Sequence, residues 1–411
     1  MNLLTRTARI LTGLLFIFSG FVKGIDPMGT AFKLGDYFTA FHLGFLDGLA
    51  LPLALLLCLV EFVAGMMLVT GALVKPASWM AALFMALFTP LTLILAIFNP
   101  VSDCGCFGDA IILTNWQTFF KNVIITLLVV FVFIRRNDPT GVMPARTGLN
   151  FTIAYVFFFL LFMRLNLAYL PMLDFRPYRA GTNIAEAMAI PEDAEPDKYD
   201  IRFIYEKDGV RQEFTLNDYP ADDTAWKFID QKSVLISKGY VPPIHDFTLI
   251  NSEGVDMTDH VTQSDGDVVL MIARRLDKSD RDGLVRGYNA GMALQKQGKE
   301  FFIVTATAPS EAEPLVTGFN ALFADEITLK TVIRSDPGFV LLHNGTVAAK
   351  WSYHNLPDPE EFTGDLNTLA IKSMNEHKSR LSVLAAILCL MIAVALALPY
   401  TRSTPEANNK Q

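Results

Sequence analysis

Two of the four cysteines in this chain stand one residue apart, within the sequence SDCGCFGD. Cysteines at positions i and i+2 can close a small disulfide, and Gly105 supplies the backbone freedom that so tight a ring requires. Strained and exposed disulfides are the more oxidising and labile ones. We therefore interpret Cys104 and Cys106 as a dithiol/disulfide centre that accepts or donates two electrons, with Asp103, Gly105 and Asp109 as supporting residues.

Two other roles for this cysteine pair compete with redox chemistry. A structural disulfide would close almost no loop, so it would constrain the unfolded chain little. A metal site would need ligands beyond the two thiolates, and the nearest candidates in the sequence are Asp103, Asp109 and the distant His42. We predict no metal site.

Six apolar runs are long enough to cross a bilayer as helices, which requires roughly 20 mostly apolar residues. They cover residues 9–25, 49–73, 79–98, 119–134, 149–170 and 381–398. We interpret the first run as a membrane helix and not as a signal peptide, because no small-x-small cleavage site follows it. The chain is 52% hydrophobic, in agreement with several membrane helices.

The orientation follows from the basic residues in the short connections, since the cytoplasmic side of a membrane protein collects Lys and Arg. Eight basic residues fall on one side of the six runs: Arg6, Arg9, Lys75, Arg135, Arg136, Arg146, Arg402 and Lys410. We therefore predict a multi-pass protein of the bacterial inner (cytoplasmic) membrane with both termini in the cytoplasm. The loop 26–48, the Cys-Gly-Cys loop and residues 174–380 are then periplasmic, where disulfides persist.

The polar segment 174–380 carries most of the acidic excess behind the net charge of -8, and it offers no broad basic surface for nucleic acid. A turn at residues 207–209 predicts a β-hairpin of strands 200–205 and 210–216. From residue 243 onward the predicted strands are 245–250, 267–272, 300–305, 338–342 and 346–351, and the predicted helices are 280–297 and 310–323. This alternation predicts an α/β domain with a mixed sheet.

Two stretches of that segment carry a resemblance. The pattern PxxDFxLxxxxG from Pro243 and the sequence PGFVLLHNGTV from Pro337 resemble the opening and the cis-proline hairpin of thioredoxin-like redoxins. The resemblance implies a thioredoxin-like domain with Pro337 as the cis-proline candidate. However, residues 273–277 read ARRLD where a redoxin has its nucleophilic cysteine, and the outer segment contains no cysteine. Because the thiolate is the nucleophile, we interpret this domain as a binding or docking module.

The membrane part also carries a resemblance. The sequence RILTGLLFIFSGFVK from Arg9, followed by Glu61, Gly65 and Gly71, is similar to DoxX-type membrane proteins. The sequence DCGCFG resembles the signature loop of the methylamine utilisation protein MauE, a related four-helix membrane family. This second resemblance implies that the cysteine pair supports disulfide formation in partner proteins. The whole layout resembles a DoxX family group from Bacteroidetes.

Glu61 is the second residue with a chemical interpretation. A carboxylate within an apolar membrane helix costs free energy and usually has a function. It could relay protons for a quinone or thiol reaction, and a quinone is the one cofactor that we consider. Alternatively it pairs with Lys23 or with backbone groups inside the bundle. Cys58 and Cys389 lie in the middle of apolar helices, where free cysteine behaves as a small hydrophobe.

The predicted fold class is a polytopic α-helical membrane protein with an α/β thioredoxin-like extracytoplasmic domain. Its predicted parts are a DoxX/MauE-like four-helix membrane domain (1–136), a fifth membrane helix (149–170), an outer linker and β-hairpin region (174–240), a thioredoxin-like domain without cysteines (241–372) and a C-terminal membrane helix (381–398).

The function that we favour is membrane-associated thiol-disulfide redox chemistry through Cys104 and Cys106, coupled to a quinone. The predicted partners are membrane lipid and an extracytoplasmic protein client or thiol-disulfide partner, without nucleic acid. The alternative function is a non-enzymatic membrane assembly or scaffold factor whose redoxin-like domain binds a partner. A transporter is a third option. Two features of the sequence argue against it: there is only one clear intramembrane carboxylate, and the two halves of the chain contain no corresponding pair of broken helices.

Overall fold

The computed structural model describes residues 2–101, 103–138, 142–216, 218–220, 223 and 225–397. Within them, six helices are long and apolar enough to cross a membrane: Leu3–Ile25, Gly44–Thr70, Val74–Phe98, Asn115–Ile134, Ala145–Tyr169 and Leu366–Val394. The six apolar runs of the sequence coincide with these helices, so the prediction of a multi-pass membrane protein is confirmed. Four residues used in the sequence analysis lie outside the described residues, namely Ser102, Leu398, Arg402 and Lys410.

The N-terminal part is almost entirely helical. Its α-helices are α1 (Asn2–Ile25), α2 (Pro27–Ala40), α3 (Ala50–Thr70), α4 (Val74–Phe98), α5 (Asn115–Ile134) and α6 (Ala145–Tyr169). Large apolar side chains such as Leu83 of α4 and Leu127 of α5 are exposed. Such exposed apolar faces are expected of helices that contact lipid instead of water.

Glycines bring α1 and α3 close together. A Cβ atom on Gly13 would lie 2.7 Å from the carbonyl oxygen of Gly65, and one on Gly20 would lie 2.6 Å from the backbone nitrogen of Phe62. Small residues allow this close approach of helix backbones in membrane bundles. The ring of Phe62 in turn stacks on that of Phe159 in α6, with centroids 4.1 Å apart, so α6 joins the same core.

Helix α2 corrects the sequence analysis, which treats residues 26–48 as a loop. The side chain of Asp26 accepts a hydrogen bond from the backbone N–H of Gly29, and Pro27 occupies the first helical turn. Both are helix-start features, since a side-chain oxygen satisfies an otherwise unpaired N–H and proline needs none there. Tyr37 and Phe38 are among the buried residues of α2, which packs against α3.

The C-terminal part contains the strands. Its helices and strands are α7 (Ile184–Met188), β1 (Lys198–Lys207), β2 (Val210–Thr215), β3 (Lys227–Ser237), β4 (Ile250–Asn251), α8 (Thr258–Thr262), β5 (Asp267–Ile272), α9 (Arg281–Gln295), β6 (Glu300–Thr305), α10 (Pro309–Ala312), β7 (Asn320–Phe323), α11 (Glu326–Val332), β8 (Gly338–His343), β9 (Thr346–Ser352) and α12 (Leu366–Ala397). Among the described residues, these strands form a three-stranded sheet, β2-β1-β3, and a six-stranded sheet, β4-β7-β6-β5-β8-β9.

The six-stranded sheet is mixed and buried on both faces. Strand β5 pairs in parallel with β6 and antiparallel with β8, which forms a hairpin with β9. Side chains of β5 alternate between two cores: Val269 and Met271 pack in one, and Val268 and Leu270 in the other. This alternation follows from the two-residue period of a strand. The predicted α/β region with a mixed sheet is therefore confirmed.

Two local predictions in this region were wrong, and one strand was missed. The helix expected at residues 310–323 is the short α10 followed by β7, because Pro314 and Gly318, whose φ is +88°, separate them. The strand expected at residues 245–250 is reduced to β4, since the N–H of Leu249 is satisfied by the hydroxyl of Thr258 instead of a strand partner. Strand β3 was not predicted, because its side chains are all exposed and no apolar alternation marks it.

Candidate functional site

Cys104 and Cys106 lie in the connection between α4 and α5. Their Sγ atoms are 2.8 Å apart, and both residues are free thiols. Cys104 is only 6% exposed, whereas Cys106 is partly exposed. The structure therefore brings together the two residues that the sequence singles out, with Cys106 as the more accessible sulfur.

Two glycines shape the loop. Gly105 has a φ of +65° and Gly108 a φ of +50°, in the left-handed region that glycine adopts readily. The N–H of Gly105 donates to Oδ1 of Asp103 at 2.8 Å, and the N–H of Gly108 donates to the carbonyl of Gly105 at 3.0 Å. Helix α2 closes this side of the loop, because Lys33 pairs with Asp103 at 2.9 Å and its Cγ would lie 2.8 Å from a Cβ at position 105.

The carbonyl groups of both cysteines are held by side chains from other helices. The hydroxyl of Tyr37 in α2 donates to the carbonyl of Cys104 at 2.6 Å, and the hydroxyl of Ser19 in α1 donates to that of Cys106 at 2.9 Å. The sequence analysis missed Tyr37, Ser19 and Lys33. The Asp26-Pro27 helix start was a signal for α2, but nothing in the local sequence indicates which loop its side chains contact.

The contact between the two sulfurs makes the cysteines unequal. Donation from the Cys104 thiol lowers the pKa of Cys106; burial opposes this shift, and the positive charges of Lys121 and Lys23 assist it. The same hydrogen bond, together with burial, raises the pKa of Cys104. Burial also raises the pKa of Tyr37, which keeps its hydroxyl a donor. Cys106 is thus the more acidic of the two thiols and the one that more readily forms the thiolate, the reactive form of cysteine.

Glu61 of α3 forms a buried ion pair with Lys23 of α1, and their side chains are 10% and 7% exposed. Of the two interpretations of Glu61, the structure therefore contains the ion pair, while the proton relay stays a prediction. Lys23 points into the bundle and does not extend along the helix to the membrane surface. Buried charges of this kind are stable only when paired.

A cavity adjoins the two thiols, among α1 to α5. Cys104 and Cys106 both line it, together with the Lys23–Glu61 pair. The apolar part of its wall consists of Leu15, Phe16, Leu34, Leu57, Phe84, Met85, Phe88, Phe107 and Ile125. The cysteines therefore border an apolar space that also contains a buried charge pair.

The α/β region docks on the other side of the Cys-Gly-Cys loop. Arg334, two residues after α11, places Nε 2.6 Å from Oδ2 of Asp26 and Nη2 3.2 Å from Oδ2 of Asp109. Its guanidinium carbon and that of Arg274 lie 5.4 and 5.3 Å from the ring centre of Phe32 in α2, within cation–π range. One arginine of the α/β region thus contacts both the N-cap of α2 and the loop that carries the cysteines.

Pro337 begins the chain segment that leads into β8, and the Asp336–Pro337 peptide bond is cis. The carboxylate of Asp336 accepts hydrogen bonds from the backbone N–H and the Nε of Arg274, both at 3.0 Å, and from the hydroxyl of Ser279 at 2.6 Å. Arg274 follows β5, where the redoxin resemblance would place a cysteine. This position holds an arginine–aspartate ion pair and no thiol.

The remaining cysteines lie apart from this site. Cys58 is fully buried in the bundle core and Cys389 is exposed on α12, and neither lines the cavity. In the part of the chain that the structure describes, no group of three or more His, Cys, Asp or Glu side chains is placed to hold a metal ion.

Residues 1–135 match the family model described as methylamine utilisation protein MauE. Residues 199–238, which include nearly all of the three-stranded sheet, match a domain of unknown function (DUF8463). No curated protein and no solved structure matches the chain. The MauE match covers α1 to α5 and the whole Cys-Gly-Cys loop. With its six apolar helices, the protein is a MauE-like multi-pass membrane protein that carries a C-terminal α/β region.

Proposed function

We propose that this protein is a membrane-associated thiol-disulfide oxidoreductase with Cys104 and Cys106 as its redox centre. The observation that carries the proposal is the 2.8 Å approach of the two Sγ atoms in a loop whose cysteine carbonyls are held by Ser19 and Tyr37. A thiolate next to a second thiol is the arrangement that disulfide exchange requires. A structural disulfide is the weaker alternative, because it would cross-link residues only two positions apart.

In the proposed reaction, a client dithiol reduces the Cys104–Cys106 disulfide. A client thiolate attacks one sulfur, the loop S–S bond breaks and a mixed disulfide forms. The second client thiolate then displaces the loop sulfur, so the client gains an S–S bond and loses two electrons, while the loop becomes a dithiol. Cys106 is the sulfur assigned to the mixed disulfide, because it is the more exposed of the two.

We assign a docking role to residues 241–372 and propose that they adopt a thioredoxin-like fold. The strand order β6-β5-β8-β9 and the helix α9 between the parallel strands β5 and β6 support this fold. The lack of a cysteine in the segment argues against independent exchange chemistry. The contacts of Arg334 with Asp26 and Asp109 support a role in holding a client beside the Cys-Gly-Cys loop.

The proposed location is a bacterial inner membrane, with the Cys-Gly-Cys loop and the α/β region on the periplasmic side. Lys75 in the first turn of α4, Arg135 directly after α5 and Arg146 in the first turn of α6 flank the connections α3–α4 and α5–α6, at the opposite end of the bundle from the loop. Positive charge in such short connections favours the cytoplasm. The name of the matched family refers to methylamine utilisation. We therefore propose that the chain supports disulfide formation in, or maturation of, partner proteins of such a process.

Thiol trapping in native membranes tests the redox function. A chain with Cys58→Ser and Cys389→Ser leaves only Cys104 and Cys106 to react with a maleimide reagent, before and after mild reduction. We expect a reversible pair with a potential on the order of -120 to -270 mV, the range of exchange catalysts. Cys104→Ser should accumulate mixed disulfides through Cys106, and the Cys104→Ser, Cys106→Ser double variant is the matched control without them.

Cysteines that stay reduced under oxidising conditions, or a disulfide that resists these reductants, would contradict the proposal. The scaffold alternative would then be favoured, and it predicts that maturation of the client survives the double substitution. The observation on its side is the absence of a cysteine from the α/β region that contacts the loop.

A further inference from the structure

The two thiols face the helix bundle and not the polar side of their own loop. Both sulfur-bearing residues line the cavity among α1 to α5. A second cavity on the side of the α/β region is lined by Asp103, Gly105 and Asp109 of the same loop, but by neither cysteine. That side is covered by the contacts of Arg334. A molecule bound in the bundle cavity would therefore lie next to both cysteines.

The wall of the bundle cavity suits an apolar ring. Phe16, Phe84 and Phe88 contribute aromatic rings to it, and Leu57 adds an aliphatic side chain. Leu57 and Phe88 are partly exposed and belong to α3 and α4, so this part of the cavity lies within the membrane-spanning segments. Small-molecule sites are mostly apolar, with a few polar groups that fix the orientation of the ligand. A molecule dissolved in the bilayer can thus enter next to the thiols.

The polar groups of the cavity are concentrated near the sulfurs. The ammonium group of Lys23 is buried there and paired with Glu61, and both side chains line the cavity with Cys104 and Cys106. An ammonium group has three N–H donors, so Lys23 can donate to a ligand oxygen while it stays paired. A carbonyl oxygen at the end of an apolar ring would match this combination of donor, thiols and aromatic wall.

We propose that the cavity binds the ring of a membrane-soluble quinone, which is the electron acceptor of the Cys104–Cys106 dithiol. This inference rests on the proposed redox function. In the step, an S–S bond forms between the two cysteines and their two S–H protons and two electrons are released. The quinone takes up both electrons and both protons and leaves as the hydroquinone, so no other reactant is needed. The loop disulfide is then ready for the next client.

The full-length chain, purified in detergent, reduced and kept free of oxygen, is mixed with a short-chain ubiquinone or menaquinone analogue. Hydroquinone formation and loss of free thiols are followed together, and we expect one hydroquinone for each disulfide. A Leu57→Trp variant fills the cavity from the lipid side and should slow quinone reduction by at least about tenfold, on the scale by which apolar pockets discriminate volume. Leu56→Trp, at an exposed position on the same helix that does not line the cavity, should react like the natural chain.

Oxidation by a water-soluble disulfide is measured on the same samples and shows whether each variant retains reactive thiols. Because this oxidant is not a quinone, the measurement separates the quinone site from the proposed redox function. Thiols that react with the soluble disulfide but not with quinone would overturn the quinone site and leave the redox function standing. Equal quinone rates for Leu57→Trp and Leu56→Trp would also overturn it, because the reaction would not then use this cavity. Thiols inert to both oxidants would overturn both proposals.

Discussion

At the scale of single residues, the two cysteines differ because one donates a hydrogen bond and the other accepts it. The sulfurs are 2.8 Å apart, and the carbonyl of each residue is fixed by a different helix. The backbone of each cysteine is therefore held in place, which keeps the two side chains on the same side of the loop. The pairing that lowers the pKa of Cys106 is thus a property of the folded loop and would be lost in the unfolded chain.

Removing the donor should raise the pKa of Cys106. In Cys104→Ala the main cause of the lowered pKa is gone while the burial that raises it persists, so the thiolate should form only at higher pH. The rate of alkylation by iodoacetamide, measured against pH, reports the thiolate because only this form is nucleophilic. In the natural chain, the midpoint of this pH profile should lie below about 8.5, the usual pKa of cysteine. In Cys104→Ala, the midpoint should move to higher pH.

Cys104→Ser is the matched control for this experiment, since its hydroxyl group can still donate to the Cys106 sulfur. We expect its midpoint to lie between those of the natural chain and Cys104→Ala. Identical pH profiles for all three chains would show that the contact between the sulfurs does not set the pKa of Cys106. All three chains carry Cys58→Ser and Cys389→Ser, so that only Cys106 and, where it is retained, Cys104 can react.

At the scale of elements, the membrane helices could be predicted from the sequence because each depends on its own local composition. The apolar residues 79–98 form α4 wherever the rest of the chain lies, since the bilayer demands internal hydrogen bonds. Helix α2 was missed because its 14 residues are too short and too polar for the membrane signal, although Asp26 and Pro27 mark its start. The strands β5 and β6 were found from their continuous apolar runs, whereas the exposed β3 carries no such signal.

The candidate site was predictable only in part, for a related reason. The Cys-Gly-Cys sequence is local, so Cys104 and Cys106 could be named without a structure. Tyr37 and Ser19 contact that loop across 67 and 87 residues of chain, and no pattern in one sequence specifies such a contact. The pairing of Glu61 with Lys23 could be stated as an alternative, since a buried carboxylate needs a partner. To decide that Lys23 is this partner, one needs to know how α1 packs on α3.

Arg334→Ala should loosen the docking of the α/β region on α2 and the Cys-Gly-Cys loop. The substitution removes the partner of Asp26 and Asp109, and Arg334 is itself nearly buried, with a side chain that is 10% exposed. Loss of charged hydrogen bonds of this kind costs about 2 kcal/mol, or roughly thirtyfold faster amide exchange by local opening. Hydrogen exchange should therefore speed up in residues 26–40 and 103–110.

Arg275→Ala is the control for this variant, because Arg275 pairs only with the nearby and exposed Asp277 among the partners seen in the described chain. Its exchange in residues 26–40 and 103–110 should equal that of the natural chain. If Arg334→Ala also leaves exchange there unchanged, the contacts of Arg334 do not hold the loop. Slower exchange in the variant would likewise contradict the prediction.

At the scale of the whole molecule, the two ends of the helix bundle differ in the residues that they carry. The connections α3–α4 and α5–α6, which are flanked by basic residues, meet at one end of the bundle, where the N–H of Met143 donates to the carbonyl of Gly71 at 2.9 Å. The Cys-Gly-Cys loop, α2 and the α/β region occupy the other end. Between these ends the cavity extends from the thiols into the bundle. This layout suits a protein that accepts electrons from clients in water and passes them to a carrier in lipid.

The proposed orientation predicts which end of the molecule an impermeant reagent can reach in intact cells. Ser310→Cys introduces a thiol at an exposed position of the α/β region, and Asn137→Cys introduces one at an exposed position of the α5–α6 connection. Both are made in a chain with Cys104→Ser and Cys106→Ser, so that the loop thiols do not react. Basic residues near position 137 favour a cytoplasmic location. A membrane-impermeant maleimide should therefore label Ser310→Cys after the outer membrane is opened, and Asn137→Cys only after the inner membrane is also permeabilised. The reverse pattern would place the cysteine loop in the reducing cytoplasm, where a stable disulfide is not expected.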